Sequence, residues 1–518
     1  MNAIELSLFS SRMNAICEEM GLILQRAAFS PNIIDRLDFS CAIFDAEGEL
    51  IAQAAHIPVH LGSMAYAMSS IVGQINWQPG DMYVLNDPYS GGTHLPDVTV
   101  ISPLFLENQC CAFIANRAHH ADMGADSPGS MPIAGHLQEE GLLIKPTRLL
   151  KNDLIDVHAM DSITRQMRNP PQSEGDFTAQ VSANRAGLQR LRELIEALNV
   201  TNFRSACHAL DEYAQLLAKQ ALAAMQPGTY RATDYMDDDG LGNRDIPIQV
   251  VVTVTTEKLL LDFSGSSSQV AGNINCPLSV TAAAVYYMFR CLLPSYTPLC
   301  QGSFRLLEIK ALRGSLLNAE FPAAVAAGNV ETSTRIVDVI LAALAPALPG
   351  RIPAASHGSM NNLAMGSDDA KPPWDYYETI GGGMGASSRG DGLSATQTNM
   401  TNTLNTPIEI IESNYPLRVR RYALRPQSGG EGDHRGGDGI VREFEFLQAA
   451  TVTLLTERRY HPPPGLQGGS NGKVGMNFLN NQPLPPKASI EVMAGDILSI
   501  QTPGGGGWGQ SKQNRKGI

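Results

Sequence analysis

Asp38-Phe-Ser-Cys-Ala-Ile-Phe-Asp-Ala-Glu-Gly-Glu-Leu-Ile-Ala-Gln53 is the stretch on which the fold class turns. Ser40–Phe44 is strand-like, Asp45–Gly48 is a turn, and Glu49–Gln53 returns, which predicts a β-hairpin. Before it, Leu6, Phe9, Met13, Ile16, Met20 and Ile23 recur at spacings of three and four, which predicts an amphipathic helix over residues 3–28. After it, Met82–Leu85, Val98–Phe105 and Cys111–Ala115 read as strands around the turn-rich 86–92. Residues 117–141, rich in Gly, Pro, Ser and Asp, read as a long irregular loop, the kind of segment that carries function.

The pattern turns helical from about Phe177 to Met225. Leu188, Leu191, Leu194, Ile195 and Leu198 share a face, the stretch ending at Asn202 interrupts the run, and Pro227-Gly228 ends it. Ile248–Val254 and Leu259–Phe263 predict a second hairpin, and helices are expected near Thr281–Leu293 and Thr334–Leu344. The last hundred residues read as strands and turns: Arg418–Leu424, Ile440–Phe446, Thr451–Thr456, Ile490–Val492 and Ile497–Ile500. The expected class is α+β, with a hairpin-rich N-terminal part, central helices and a β-rich end. Pattern changes divide the chain into 1–176, 177–228 and 229–518, in line with about three domains for 518 residues.

Composition limits the partners. The chain is 43% hydrophobic and 17% charged, which a packed core requires and a disordered chain lacks. A net charge of -13 with only short basic runs argues against nucleic acid, since phosphate binding needs a clustered basic face. The eight cysteines form no C-x-x-C, so neither a zinc ribbon nor a redox motif is read, and a reducing cytoplasm fits. Glu5, Arg12, Glu18 and Glu19 interrupt the first apolar stretch, so no secretory leader is expected. No apolar run reaches the roughly 18 to 20 residues of a membrane span.

Six of the 11 histidines fall between residues 56 and 136: His56, His60, His94, His119, His120 and His136. A neutral imidazole is a metal ligand or a general base near pH 7. In Arg117-Ala-His-His-Ala-Asp122, the His–x–x–Asp spacing can bring His119 and Asp122 to one zinc, manganese or iron ion at roughly 2.0–2.2 Å. The same residues also fit a surface loop whose histidines hydrogen-bond locally. His56 and His60 would face one way on an extended segment, with His60 beside a Gly-Ser turn. The loop Asn86–Asp97 presents Asp87, His94 and Asp97 to a polar ligand, although Asp87 before Pro88 also serves as a plain turn former. No G-x-x-x-x-G-K-[ST] exists, Gly381-x-Gly383-x-x-Ala386 lacks the later acidic residue of a dinucleotide site, and Gly468-Gly-Ser-Asn-Gly472 has no helix pattern after it for a nucleophile elbow.

In this order, Asp38–Asp45, His56–Met64, Asn86–Asp97, His119–Asp122, Pro128–Met131, Glu139–Gly141, Gly328–Thr332, Tyr377–Gly383, Thr401–Pro407, Ser428–Gly437 and Thr502–Gly507 resemble the hydantoinase B/oxoprolinase family across nearly the whole chain. The resemblance implies a B-type subunit that works in a hetero-oligomer with an A-type subunit, which binds ATP with Mg2+ and would account for the missing P-loop. It implies ATP-dependent hydrolysis of hydantoins, 5-oxoproline or other lactams. It also admits a ketone carboxylase subunit, distinguished by bicarbonate-dependent product. A non-catalytic scaffold would leave turnover intact on His119→Ala, and an autonomous metallohydrolase would need no ATP. Carried over from the carboxylase branch, the resemblance implies a divalent metal on His119 and Asp122, with His60 and His136 completing the site. Asp87 and His94 are then substrate-side groups, His120 is a further catalytic candidate, and the glycine-rich 428–439 and 504–507 are turns and subunit contacts.

Overall fold

Asn2 starts the first helix with a capping box: its side chain accepts from the Glu5 N–H, and the Glu5 carboxylate accepts from the Asn2 N–H. The helix, Ala3–Ala27, buries Phe9, Met13, Ile16, Met20 and Leu24, the stripe that the sequence spacing predicts. The computed structural model describes residues 2–54, 57–60 and 62–510, so His56 lies outside the described residues.

The hairpin is β1 (Phe39–Asp45) and β2 (Leu50–Ala54), the edge of a seven-stranded sheet. The other strands are β3 (Met82–Leu85), β4 (Asp97–Leu106), β5 (Gln109–His119), β6 (Thr147–Lys151) and β7 (Leu154–Ile155), in the order β2-β1-β5-β4-β3-β6-β7. Period-2 alternation sends Phe39, Cys41 and Ile43 to one face, against the first helix, and Ala42 and Phe44 to the other, against Met64 and Met68 of the helix Ser63–Ile71. Both faces are covered, so β1 reads as an unbroken apolar run. Each large apolar side chain buried there contributes about 1.5–3 kcal/mol. The helical segment forms two long helices, Pro170–Leu198 and Val200–Ala223, with Asn199 capping the second by accepting from the Asn202 N–H.

A second sheet, in the order β11-β10-β9-β8, uses β8 (Gly228–Asp238), β9 (Arg244–Val254), β10 (Leu259–Asp262) and β11 (Leu307–Lys310). Ile246, Ile248, Val250, Val252 and Val254 alternate inward and pack with Leu278–Leu292 and Ser333–Leu344, the two helices that the sequence places here. Two C-terminal sheets follow. One runs β13-β12-β16-β19, from β12 (Asn362–Ser367), β13 (Trp374–Glu378), β16 (Ala450–Leu455) and β19 (Lys487–Val492). The other runs β14-β15-β20-β17-β18, from β14 (Leu417–Arg425), β15 (Gly439–Phe446), β17 (Met476–Leu479), β18 (Gln482–Leu484) and β20 (Ile497–Gln501). They share a core that includes Leu363, Met365, Phe444, Leu454, Leu498 and Ile500. Helices and several sheets together make the chain α+β.

The glycine-rich stretches fold inward. Gly430 N–H donates to the Gly505 carbonyl, Gly505 N–H to Gly437, and Gly437 N–H to Met384. A Cβ on Gly383 would lie 1.9 Å from the Gly437 oxygen, so the backbones pack where no side chain fits. The expectation of surface turns therefore gives way to a buried, backbone-packed layer. Among the described residues, no helix is long and apolar enough to cross a membrane.

Candidate metal centre

Three strand ends meet at one corner of the first sheet. Asp97 opens β4 and His119 closes β5, and the two residues are register partners. Asp38 precedes β1, and its carbonyl accepts from the His119 N–H at 2.9 Å. The loop before β4 brings in His94. Asn86 holds that loop, donating to the carbonyls of Leu95 and Leu142 and accepting from the Ile144 N–H. Gly91, at φ +95, lets it lie on the helix Ser63–Ile71, where a Cβ would come 2.3 Å from the Ala67 Cα. His60 comes from the 3-10 turn Pro58–His60, with Nδ1 3.0 Å from Ser40 Oγ.

His94, Asp97 and His119 can offer ligand atoms that lie within 4.8 Å of one another, and all three residues are buried. Asp97 Oδ1 is 3.3 Å from His94 Nε2, and its Oδ2 is 3.4 Å from His60 Nε2 and accepts from Thr93 Oγ. The His119 ring stacks on Tyr377 at 5.0 Å and meets the His94 ring edge-on at 5.1 Å. Burial works to raise the Asp97 carboxyl, but His94 and His60 outweigh it and hold it well below the usual range. Burial, with the His94 charge, pushes His119 well below an ordinary imidazole, so it is neutral and has a lone pair to give. Burial raises Asp38, with Arg36 opposing.

The polar atoms here lack partners. His60 Nε2, both ring nitrogens of His94, Asp97 Oδ1, His119 Nε2 and Asn329 Oδ1 are buried without a protein hydrogen bond. Each such group costs about 1–3 kcal/mol, and a bound cation satisfies several at once. Asp38, His60, Asp97, His119 and Asn329 line a cavity of about 20 Å³. Roughly 10–15 Å³ admits one water, so the space suits an ion rather than a substrate ring. These residues fit a divalent metal.

The other predicted groups sit elsewhere. Asp122, three residues past the end of β5, pairs with Arg168 at 3.2 Å and accepts from the Gly124 N–H at 2.7 Å. The expected His119–Asp122 pairing on one ion is not formed, because the chain turns away after β5 and Asp97 stands beside His119 instead. His120 points to the helix Pro170–Leu198, with Nε2 2.9 Å from Gln180 Oε1 and its ring 4.5 Å from Phe177. His136 is exposed at the start of the 3-10 turn Leu137–Glu140. Asp87 caps the turn Pro88–Ser90, accepting from the Tyr89 N–H and the Ser90 hydroxyl, as a turn former does. Sequence reasoning gave no ligand role to Asp97, Asp38 or Asn329. The signal for Asp97 was present, because His94-x-x-Asp97 repeats the spacing of His119-x-x-Asp122. Asp122→Asn should therefore lower stability by about 1–3 kcal/mol, through the weakened Arg168 contact, and leave bound metal unchanged. Thermal unfolding with metal analysis of the same sample checks this.

The model of the Hydantoinase B/oxoprolinase family matches residues 2–511. A 5-oxoprolinase 1 from Arabidopsis thaliana is 39% identical over 98% of this chain, which spans only 42% of that protein's length. The B-type component of a D-/L-hydantoinase from Pseudomonas sp. (strain NS671), itself an assignment by similarity, is 31% identical, with 95% of this chain and 88% of that one covered. Among solved structures, an ATP-dependent caprolactamase from Pseudomonas jessenii superimposes with a TM-score of 0.92 at 26% identity, covering 98% of this chain and 91% of that one. An acetone carboxylase in its nucleotide-free form has a TM-score of 0.88 at 18% identity, covering 99% and 77%, and shares the fold. The chain belongs to the hydantoinase B/oxoprolinase family.

Proposed function

We propose that this chain is the B-type component of an ATP-dependent cyclic amide hydrolase, and that it holds a divalent metal on His94, Asp97 and His119. The observation that carries the reading is the convergence of unpartnered buried ligand atoms at the end of β4 and β5, in a chain that matches a 5-oxoprolinase over 98% of its length. Zinc, manganese and iron(II) all accept two imidazoles and a carboxylate. A metal bound there would supply Lewis acidity at an amide carbonyl and stabilise developing oxyanion charge.

The chain's own residues prepare that site. Thr93 and His60 hold Asp97 Oδ2, which leaves Oδ1 free to ligate. His119 ligates through Nε2 only with its proton on Nδ1. Asn32, 3.2 Å from Nδ1, then presents its carboxamide oxygen there and fixes the tautomer. A lactam does not fit the cavity as it stands, so substrate reaches the metal when the wall formed by Met400, Thr401 and Thr403 moves aside. ATP with Mg2+ belongs to an A-type partner, a role that the hydantoinase relative from Pseudomonas supports. Phosphorylation of the amide oxygen there would turn a poor electrophile into one with a leaving group.

The test is reconstitution with the A-type chain, measuring ring opening of 5-oxoproline, hydantoin and caprolactam. ATP-dependent opening with matched phosphate release is expected. Ring opening by this chain alone without ATP, or turnover that requires bicarbonate and a ketone, would overturn the reading.

A further inference from the structure

Asn329 lines the same cavity as Asp97 and His119, on an unusual piece of backbone. Gly328–Thr332 is a single π-helical turn leading into the helix Ser333–Leu344. Such turns are poor helices and concentrate at functional sites. This one is tied down on every side. Glu140 accepts from the N–H groups of Val325 and Ala326 at 2.8 Å each, just before the turn. Gly328 N–H donates to the Asn273 carbonyl, and a Cβ on Gly328 would lie 1.8 Å from the Asn275 oxygen. Thr332 donates to the Ile274 carbonyl, and Glu331 accepts from the Met360 N–H and from Asn362.

The turn holds one carboxamide against the metal cluster. Asn329 is 3% exposed, and its Nδ2 lies 3.4 Å from Asp97 Oδ2. An ionised carboxylate only accepts, so the amide nitrogen must be the end that faces it. That orientation leaves Oδ1 buried with no protein partner. An amide oxygen is a good ligand for a divalent cation and a poor group to bury alone. We infer that the Asn329 carboxamide oxygen is a further ligand of the cation held by His94, Asp97 and His119. The π-turn then exists to deliver it, while the amide nitrogen orients Asp97. This inference rests on the metal reading above.

Cobalt(II) is a suitable probe, loaded into the full chain, with affinity measured by chelator competition and ligand geometry by visible absorption. The wild type should bind one cobalt per chain. Asn329→Ala should still bind it, with affinity lower by about tenfold or more and an altered visible band. Asn329→Asp keeps an oxygen and should bind at least tenfold more tightly than Asn329→Ala. Wild-type affinity and spectrum in Asn329→Ala would overturn this inference alone, as would equal weakness of the Asp variant. No cobalt in the wild type would overturn it together with the metal reading. If circular dichroism shows Asn329→Ala unfolded, the Asp variant decides: the wild-type band supports ligation, and a folded Asp variant without cobalt overturns it.

Discussion

Asp97→Asn is expected to strip the metal from the chain and to abolish ATP-dependent lactam opening by the reconstituted complex. Asp97 is the one carboxylate in the triad, and its charge balances His60 and His94 in a site without solvent. An asparagine keeps the shape, and its oxygen can still accept from Thr93, but the negative ligand is gone. Loss of a group that merely supports a ligand costs about 10–100-fold in metal affinity, so loss of this ligand should cost at least ~100-fold. Mass-spectrometric metal content, turnover and near-UV circular dichroism on one preparation separate metal loss from unfolding. Full metal occupancy in a folded Asp97→Asn chain would exclude Asp97 as a ligand.

Glu140→Gln is expected to stabilise the chain at high pH and not at low pH. Burial, opposed by the N–H groups of Ala326 and Val325, pushes the Glu140 carboxyl from 4.5 up to about 8. The nearby titratable groups are Glu139, which adds to the rise, and Tyr89. Between those two pH values the folded state binds more protons than the unfolded state, so wild-type stability falls as pH rises. The contribution is whole below about pH 4.5 and is lost as pH rises through about 8, up to about 5 kcal/mol in all. Glutamine accepts the same two N–H bonds and does not titrate. The difference in unfolding temperature, variant minus wild type, should therefore rise steadily from pH 5 to pH 9. A difference flat across that range would mean that Glu140 is ionised when folded. Glu140 braces the backbone before the Asn329 turn, so the same variant tests how firmly that turn is held.

Elements whose burial pattern is local were legible in the sequence. The helix Ala3–Ala27 announces itself through one apolar stripe, and β1 and β2 through a turn between two apolar runs. Elements stabilised by distant partners were not. Strand β8 is half exposed and ends in acidic residues, and Asp237 and Asp238 are buried there only because Arg459, Tyr460, His461 and Lys487 come from far along the chain to meet them. The helix Ser63–Ile71 has no side-chain cap, and its Met- and Ala-rich face makes sense only against β1 and β5.

The site followed the same rule. Clustering of histidines pointed to the right segment, and three of them, His60, His94 and His119, do meet. Which carboxylate joins them depends on where strands end. Asp97 is fixed by its register against His119, and no spacing within Arg117–Asp122 encodes that pairing. Asn329 arrives from more than 200 residues away on a π-turn, a backbone form with no sequence signature of its own.

The most direct measurement is anomalous X-ray diffraction at the metal absorption edge, on crystals of the purified chain. The account predicts one peak within bonding distance of His94 Nε2, Asp97 Oδ1 and His119 Nε2. A peak at Asp122 or His136 instead, or no peak from protein that turns over lactam with ATP and its partner, would contradict it.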